Sequence, residues 1–295
     1  MEQLNNHYGI EGHLSFAIGD GGLTKAVVKN ELAEAEVYLQ GGHLTHFQLK
    51  GVAPIIWMSS SAVFNEGKAI RGGVPICWPW FGPHATDSGL PQHGFARASE
   101  WTVLASQALP DGGTSLSLGL SGDGSNKMWP HSFDLVLEFI VARQLKLILT
   151  ATNTGSKALE LGAAFHTYFN VGDSSKIAIS GLGGRDYLDK PDNYARKHQE
   201  GDIAIAEEVD RVYLDTADEC IIRDSVLNRK IRVSKQGSLS TIVWNPWVEK
   251  AKSMADFDDE GYKTMVCIES ANAADDVRVL EPGHKHQIVQ CVDVE

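Results

Sequence analysis

Apolar and polar residues alternate along several short stretches of the chain. From Ala33 to Leu39, Ala33, Ala35, Val37 and Leu39 fall on one side and Glu34, Glu36 and Tyr38 on the other, before Gly41 and Gly42 stop the run. Successive side chains of a strand point to opposite faces, so a period of two predicts a strand with one buried face. The same period returns in Leu116, Leu118 and Leu120, in Phe133, Leu135, Leu137, Phe139 and Val141, and in Leu145, Leu147, Leu149 and Ala151. Helical periodicity is scarce, because Gly or Pro interrupts every long stretch that could hold apolar positions at i, i+3, i+4 and i+7. The 29 glycines suit many tight turns. No linker, charge block, low-complexity tract or short repeat divides the chain. Together these signs predict an all-β protein, an antiparallel β-sandwich with long functional loops, folded as one domain over residues 1–295.

Composition supports a substantial core: of 295 residues, 43% are hydrophobic and 22% charged. The 38 acidic residues exceed the 26 basic ones, and the formal charge of −12 repels nucleic acid and anionic membrane surfaces. An anionic substrate would therefore need a local cluster of arginines. Cys77, Cys220, Cys267 and Cys291 are far apart, with no C-x-x-C pair, which predicts reduced thiols and neither a zinc site nor a disulfide framework. The segment from Met1 to Asn6 lacks the character of a signal peptide, and no apolar run approaches ~18 residues. The expectation is a cytoplasmic protein with no membrane partner and an unspecified subunit count.

Four segments could carry chemistry. Arg71 to Pro83 has too many glycines and prolines for a regular element, yet it holds Trp78, Trp80, Phe81 and the fixed charge of Arg71. Trp80 or Phe81 could pack on the C–H face of a sugar while Arg71 reaches an anionic group; a core-packing loop is the plainer alternative. Pro91 to Arg97 concentrates Gln92, His93 and Arg97, and Gly94 permits a bend that could turn several of them to one side. His166 lies in the apolar run from Ala163 to Asn170, sharing a strand face with Ala164 and Tyr168. A buried histidine needs only one or two hydrogen bonds to be tolerated, so a catalytic role requires a partner carboxylate. Glu269, closing the apolar stretch Met265 to Ile268, is a candidate, since a carboxylate there is costly unless paired or at work. Asp210 reads more weakly, as a loop charge. Asp256, Asp258 and Glu260 imitate half of an EF-hand, but Cys267 stands where a bidentate acid should be, so calcium is not expected. His43 and His46 would face opposite ways on a strand, His284 and His286 could share a face but have no evident third metal ligand, and Gly181 to Gly184 lacks the full dinucleotide fingerprint.

In order along the chain, the segments Arg71 to Pro83, Gln92 to Arg97, Phe165 to Phe169, Trp244 to Trp247 and Val266 to Glu269 resemble the glucose-6-phosphate 1-epimerases, the hexose-6-phosphate mutarotase branch of the aldose 1-epimerase superfamily. The resemblance runs from about residue 20 to near 290. It implies the galactose-mutarotase-like fold, a large twisted antiparallel β-sandwich or supersandwich. It also implies an isomerase that interconverts the anomers of a hexose 6-phosphate without metal or cofactor. By the same resemblance His166 is the catalytic acid and Glu269 the base, and Arg71, Gln92, Arg97 and Asp210 contact substrate. His93 stands where the wider superfamily often has a second histidine near the ring oxygen. The alternatives are a non-catalytic sugar-phosphate sensor, an epimerase of free sugars, and a glycosidase using Asp210 and Glu269 as a carboxylate pair.

Overall fold

A computed structural model describes residues 1–295. Two of the alternating runs become neighbouring strands, Ser132–Val141 and Leu145–Asn153, paired antiparallel with Leu137 opposite Leu149. Thr114–Asp123 and Thr102–Ala108 extend this sheet on one side. Lys285–Val294, Arg229–Gln236, Cys220–Asp224 and Ile177–Ser180 extend it on the other, making eight strands. A four-stranded sheet, Leu14–Ile18, Thr24–Lys29, Ala33–Tyr38 and His43–Leu49, forms the N-terminal part. Within it, Tyr38 departs from the simple alternation. A bulge between Glu36 and Val37 shifts the register, and Tyr38 is buried, packed on Phe64 with its hydroxyl donating to Asp20.

The second eight-stranded sheet builds the functional region. Its main path runs Ala195–His198, Asp186–Asp189, Val209–Tyr213, Ser240–Asn245, Met265–Asn272, Ala163–Phe165 and Ile76–Cys77, with Tyr168–Asn170 also paired to Met265–Asn272. Every residue of Ser240–Asn245 and Met265–Asn272 is buried. Both faces of this sheet are covered, which is why these strands carry no period-two signal. Val243, Val266, Ile268, Phe165 and Phe169 face a core of 55 buried apolar residues, whereas Ile242, Trp244, Cys267, Ala164 and Tyr168 face a second cluster of 15. At roughly 1.5–3 kcal/mol for each large apolar side chain buried, either face holds the sheet firmly. Helix is confined to two seven-residue segments, Glu2–Tyr8 and Trp247–Ser253, plus short 3-10 turns. No helix is long and apolar enough to cross a membrane.

Candidate active site

The floor of the site is an interruption in a ladder. Phe165 pairs with Ser270 and Tyr168 with Cys267, so the same register places His166 opposite Glu269. Between those pairs the backbone turns aside. The His166 N–H donates to the Pro75 carbonyl at 3.1 Å, that of Thr167 to Phe165 at 2.9 Å, and that of Tyr168 to Gly73 at 2.9 Å. The two side chains remain side by side, with His166 Nδ1 3.3 Å from Glu269 Oε1. Both residues are deeply buried, 8% and 1% exposed, yet His166 Nδ1 and Glu269 Oε2 have no hydrogen-bond partner. An unmet buried polar atom costs about 1–3 kcal/mol, a cost that a substrate hydroxyl or ring oxygen would relieve. Tyr168 fixes the imidazole by lying flat against it, ring centroids 4.9 Å apart and planes within 8°, while Trp244 meets both rings edge-on.

The cross-strand register also recruits Asp210. Val212, Ile242 and Glu269 form one row across the sheet, and Asp210, Trp244, Cys267 and Tyr168 the next row on the same face. Asp210 therefore shares the sheet face of Glu269 from two strands away. Loops raise the walls around this floor. The positive φ angles of Gly72 and Gly73 let the chain turn after Arg71, and buried His43 tethers that turn through a 2.9 Å hydrogen bond from Nε2 to the Gly72 carbonyl. Arg71 donates from Nε to Asp256 at 3.2 Å and from Nη1 to the Tyr168 hydroxyl at 3.2 Å.

The bend expected at Gly94 is present: φ is 65° at His93 and 71° at Gly94, and a Cβ at Gly94 would lie 2.0 Å from the Trp78 carbonyl oxygen. It brings Gln92, His93 and Arg97 into the same cleft. His93 Nδ1 accepts from the Gly82 N–H at 3.3 Å, leaving the proton on Nε2, and its ring centroid is 5.6 Å from that of His166. Arg97 Nη2 donates to the Gln92 carbonyl at 2.8 Å and forms no ion pair.

All seven residues singled out from the sequence thus line one cleft of about 170 Å³. Phe81 lines it too, but Trp80 does not. Its indole donates to the Pro91 carbonyl and packs against His84 and Phe95, so of the two aromatics offered by the sequence only Phe81 reaches the cleft, where Trp244 joins it. Two cations escaped sequence reasoning. Lys190, on the 3-10 turn Lys190–Asp192, lies 2.9 Å from Asp210 Oδ2, and Lys250, on the helix Trp247–Ser253, lies 3.0 Å from Glu208. A lysine in a polar stretch carries no distinguishing sequence signal. A larger hollow, about 580 Å³, lies against the N-terminal sheet between Lys29, Glu34 and Phe64. None of its lining atoms is buried without a partner, so the smaller cleft is the candidate site.

Four cations, Arg71, Arg97, Lys190 and Lys250, face two carboxylates, Asp210 and Glu269, in a chain that is strongly acidic overall. Burial pushes the Glu269 carboxyl well above its ordinary range, and the Asp210 charge adds to the effect, with Lys190 and Arg97 opposing. Burial also holds His166 well below its ordinary value, reinforced by Arg97 and Arg71. His93 is depressed in the same way, by burial and then by Arg97 and His166. The Asp210 carboxyl is raised by burial, against the pull of Lys190. Both shifts run the same way, disfavouring the charged form of either group. His166, Cys267 and Glu269 also bring three possible metal-ligand atoms within 4.8 Å of one another. The surrounding guanidinium and ammonium groups oppose a divalent cation there and favour an anion.

Known proteins share this arrangement of strands. The aldose 1-epimerase family model matches residues 25–291. A protein of Escherichia coli (strain K12), provisionally named a glucose-6-phosphate 1-epimerase, is 40% identical over 269 residues, covering 90% of this chain and 89% of its own. A protein of Cenchrus ciliaris with the same provisional name is 37% identical, covering 90% and 82%. A crystal structure from Salmonella typhimurium, described provisionally as a mutarotase, superposes with a TM-score of 0.90 at 35% identity, covering 97% of this chain and 95% of that one. Galactose 1-epimerase from Lactobacillus acidophilus NCFM shares the fold at a TM-score of 0.75 and 12% identity, covering 96% and 98%. The galactose-mutarotase-like β-sandwich is thus the architecture that carries the cleft, and with the family model spanning nearly all of it this chain belongs to the aldose 1-epimerase family.

Proposed function

We propose that the protein interconverts the α and β anomers of a hexose 6-phosphate, glucose 6-phosphate foremost, with His166 as acid and Glu269 as base. The observation that carries this reading is the buried His166–Glu269 pair, 3.3 Å apart with unmet polar atoms, on the floor of a cleft walled by four cations. Anomer exchange needs one proton delivered to the ring oxygen and one taken from the C1 hydroxyl. Glu269 takes the hydroxyl proton as His166 protonates the ring oxygen, the bond from C1 to the ring oxygen breaks, and an open-chain aldehyde forms. Rotation about C1–C2 presents the other face of the carbonyl. The C5 hydroxyl then attacks C1 and returns its proton to His166, while Glu269 returns a proton to O1. Electrons and protons balance within sugar and pair, so the scheme calls for no metal or organic cofactor.

The phosphate serves this chemistry as well as affinity. Opening the ring needs His166 protonated, a form that its burial and the neighbouring cations disfavour. A dianion held by Arg97 and Arg71 offsets the positive field that depresses His166 and favours the imidazolium. Arg97, free of any acidic partner, supplies a planar fork of donors for phosphate oxygens. Gln92 and Asp210 are assigned to sugar hydroxyls, Phe81 and Trp244 to the C–H faces, and His93, a donor at Nε2, to the ring-oxygen side. The family match over most of the chain favours one catalytic domain, and four free cysteines suit a reducing cytoplasm. Two-dimensional exchange NMR on glucose 6-phosphate tests the reading. Acceleration of α/β exchange above the spontaneous rate is expected. Phosphate binding without acceleration would make the protein a sensor, and faster exchange of free glucose or galactose would make it an epimerase of unphosphorylated sugars.

A further inference from the structure

Lys190 is the only cation in the cleft paired with a carboxylate that itself lines the cleft. Arg71 is paired with Asp256 and Lys250 with Glu208, both outside the lining, and Arg97 has no acidic partner. The hairpin Asp186–Asp189 with Ala195–His198 delivers Lys190 from its turn, where Asn193 and Tyr194 both take positive φ. Its ammonium reaches Asp210 Oδ2 at 2.9 Å, and Asp210 is only 6% exposed.

From this placement we propose that Lys190 is a positioning residue for proton transfer: by binding Asp210 it shields Glu269 from a second buried carboxylate, leaving Glu269 able to act as the base. The inference rests on the reading of Glu269 as that base. The neighbours of Glu269 can be taken element by element. Cys267 shares its strand, and His166 and Tyr168 face it from the next strand. His93 and Arg97 come from the bend after Pro91, Arg71 from the loop before Gly72, and Lys250 from the short helix. Asp210 is the only other carboxylate among these groups, and it sits on the same sheet face two strands away. The charges that act on Glu269 are those of Asp210, which disfavours its ionisation, and of Lys190 and Arg97, which favour it.

The two cations are not equivalent during turnover. On the reading given above, Arg97 is engaged by the substrate dianion when Glu269 must accept a proton, so its field is cancelled at that moment. Lys190 remains, because its partner is a protein carboxylate. Without it, Asp210 would keep only Lys250 as a nearby counter-charge, with no ion pair, and its own charge would weigh more on Glu269.

The test is the pH dependence of kcat/KM for α/β exchange in wild type, Lys190→Met, Lys190→Arg and Lys190→Met/Asp210→Asn. Strands lie about 4.8 Å apart, which puts the two carboxylates roughly 10 Å from one another. Charges at that distance in a partly screened site move a titration by about half to one pH unit. Lys190→Met should move the acidic limb up by that amount, Lys190→Arg should leave it in place, and the double variant should bring it back. A purely structural role for Lys190 predicts the same fractional loss at every pH, and that result would overturn the inference. Should Lys190→Met not fold, Asp210→Asn alone still decides: its acidic limb should move down, and an unmoved limb counts against us. Infrared difference titration of the Glu269 carboxyl, assigned with Glu269→Gln, separates this inference from the catalytic reading. A wild type without exchange activity refutes the latter, whereas a carboxyl band that titrates identically with and without Lys190 refutes the former.

Discussion

Replacing Arg97 with Met should remove most of the preference for phosphorylated sugar while leaving His166 and Glu269 in place. The guanidinium makes one hydrogen bond, 2.8 Å to the Gln92 carbonyl, and no ion pair, so no protein carboxylate competes with a phosphate for it. Hydrogen bonds to charged groups contribute about 1.5–3 kcal/mol each. A forked guanidinium can make two to a phosphate, less the lost contact to Gln92, for a net of about 3 kcal/mol. At 1.36 kcal/mol per tenfold change, kcat/KM for glucose 6-phosphate should fall by roughly 150-fold. The assay is exchange NMR with glucose 6-phosphate and free glucose in parallel, because glucose lacks the group Arg97 is assigned to hold. Its slow exchange should not share that fall, since no phosphate is lost and the remaining effect is the altered field at His166 and Glu269, and Arg97→Lys should recover part of the loss as a point charge without the fork. An equal fall for both sugars would show that Arg97 organises the Gln92–His93 bend instead, and the phosphate assignment would be wrong.

Other outcomes follow from particular contacts. Glu269→Gln removes the base but keeps a side chain of similar size, so calorimetry should find glucose 6-phosphate affinity within about tenfold of wild type while exchange drops to the background rate. Gly94→Ala should unfold at a markedly lower temperature in a thermal melt, since its Cβ would meet the Trp78 carbonyl at 2.0 Å in a left-handed backbone, and the surviving folded fraction should have lost His93 from the cleft. His43 is fully buried and its pKa is lowered from 6.5 to about 4, chiefly by burial. The unfolded chain binds a proton at His43 below pH ~6.5 and the folded chain resists until about 4, so stability falls as the pH drops through that window, by up to about 3 kcal/mol. Urea midpoints measured from pH 7 to pH 4.5 should decline less steeply for His43→Leu than for wild type. Glu269, with a raised pKa, works in the opposite sense, losing stability as pH rises above 4.5.

The large sheet containing Phe133 to Val141 was legible because one face meets the core and the other meets solvent, which stamps a period of two on the sequence. The sheet that bears the site leaves no such mark. Met265–Asn272 is covered on both faces, so Glu269 reads simply as the end of an apolar run. Sequence order gave the seven lining residues through resemblance, but their convergence depends on contacts between segments far apart in the chain, such as Arg71 with Asp256. That aspartate belongs to the run that imitates a calcium loop, and its actual partner is 185 residues away. Its neighbour Asp258 binds the Ser60 and Ser61 hydroxyls and the Ser60 N–H. Lys190 and Lys250 were invisible for a similar reason. Only the fold shows which solvated-looking lysines lean over a cleft.

The break in the ladder at His166 divides the site by evolvability. The proposed acid and base are registered to each other by the strand pairs on either side of the break, so a single-residue insertion or deletion in either segment would replace one of them with a neighbour such as Ile268, which faces the other core. The floor is thus locked against gradual change. Two walls, the glycine turn and the histidine bend, are tied to the floor by backbone contacts, whereas the hairpin tip that carries Lys190 and the short helix that carries Lys250 make no hydrogen bond to His166 or Tyr168. New sugar specificities should therefore be sought by exchanging the hairpin tip and the short helix between relatives, with the two floor segments kept intact.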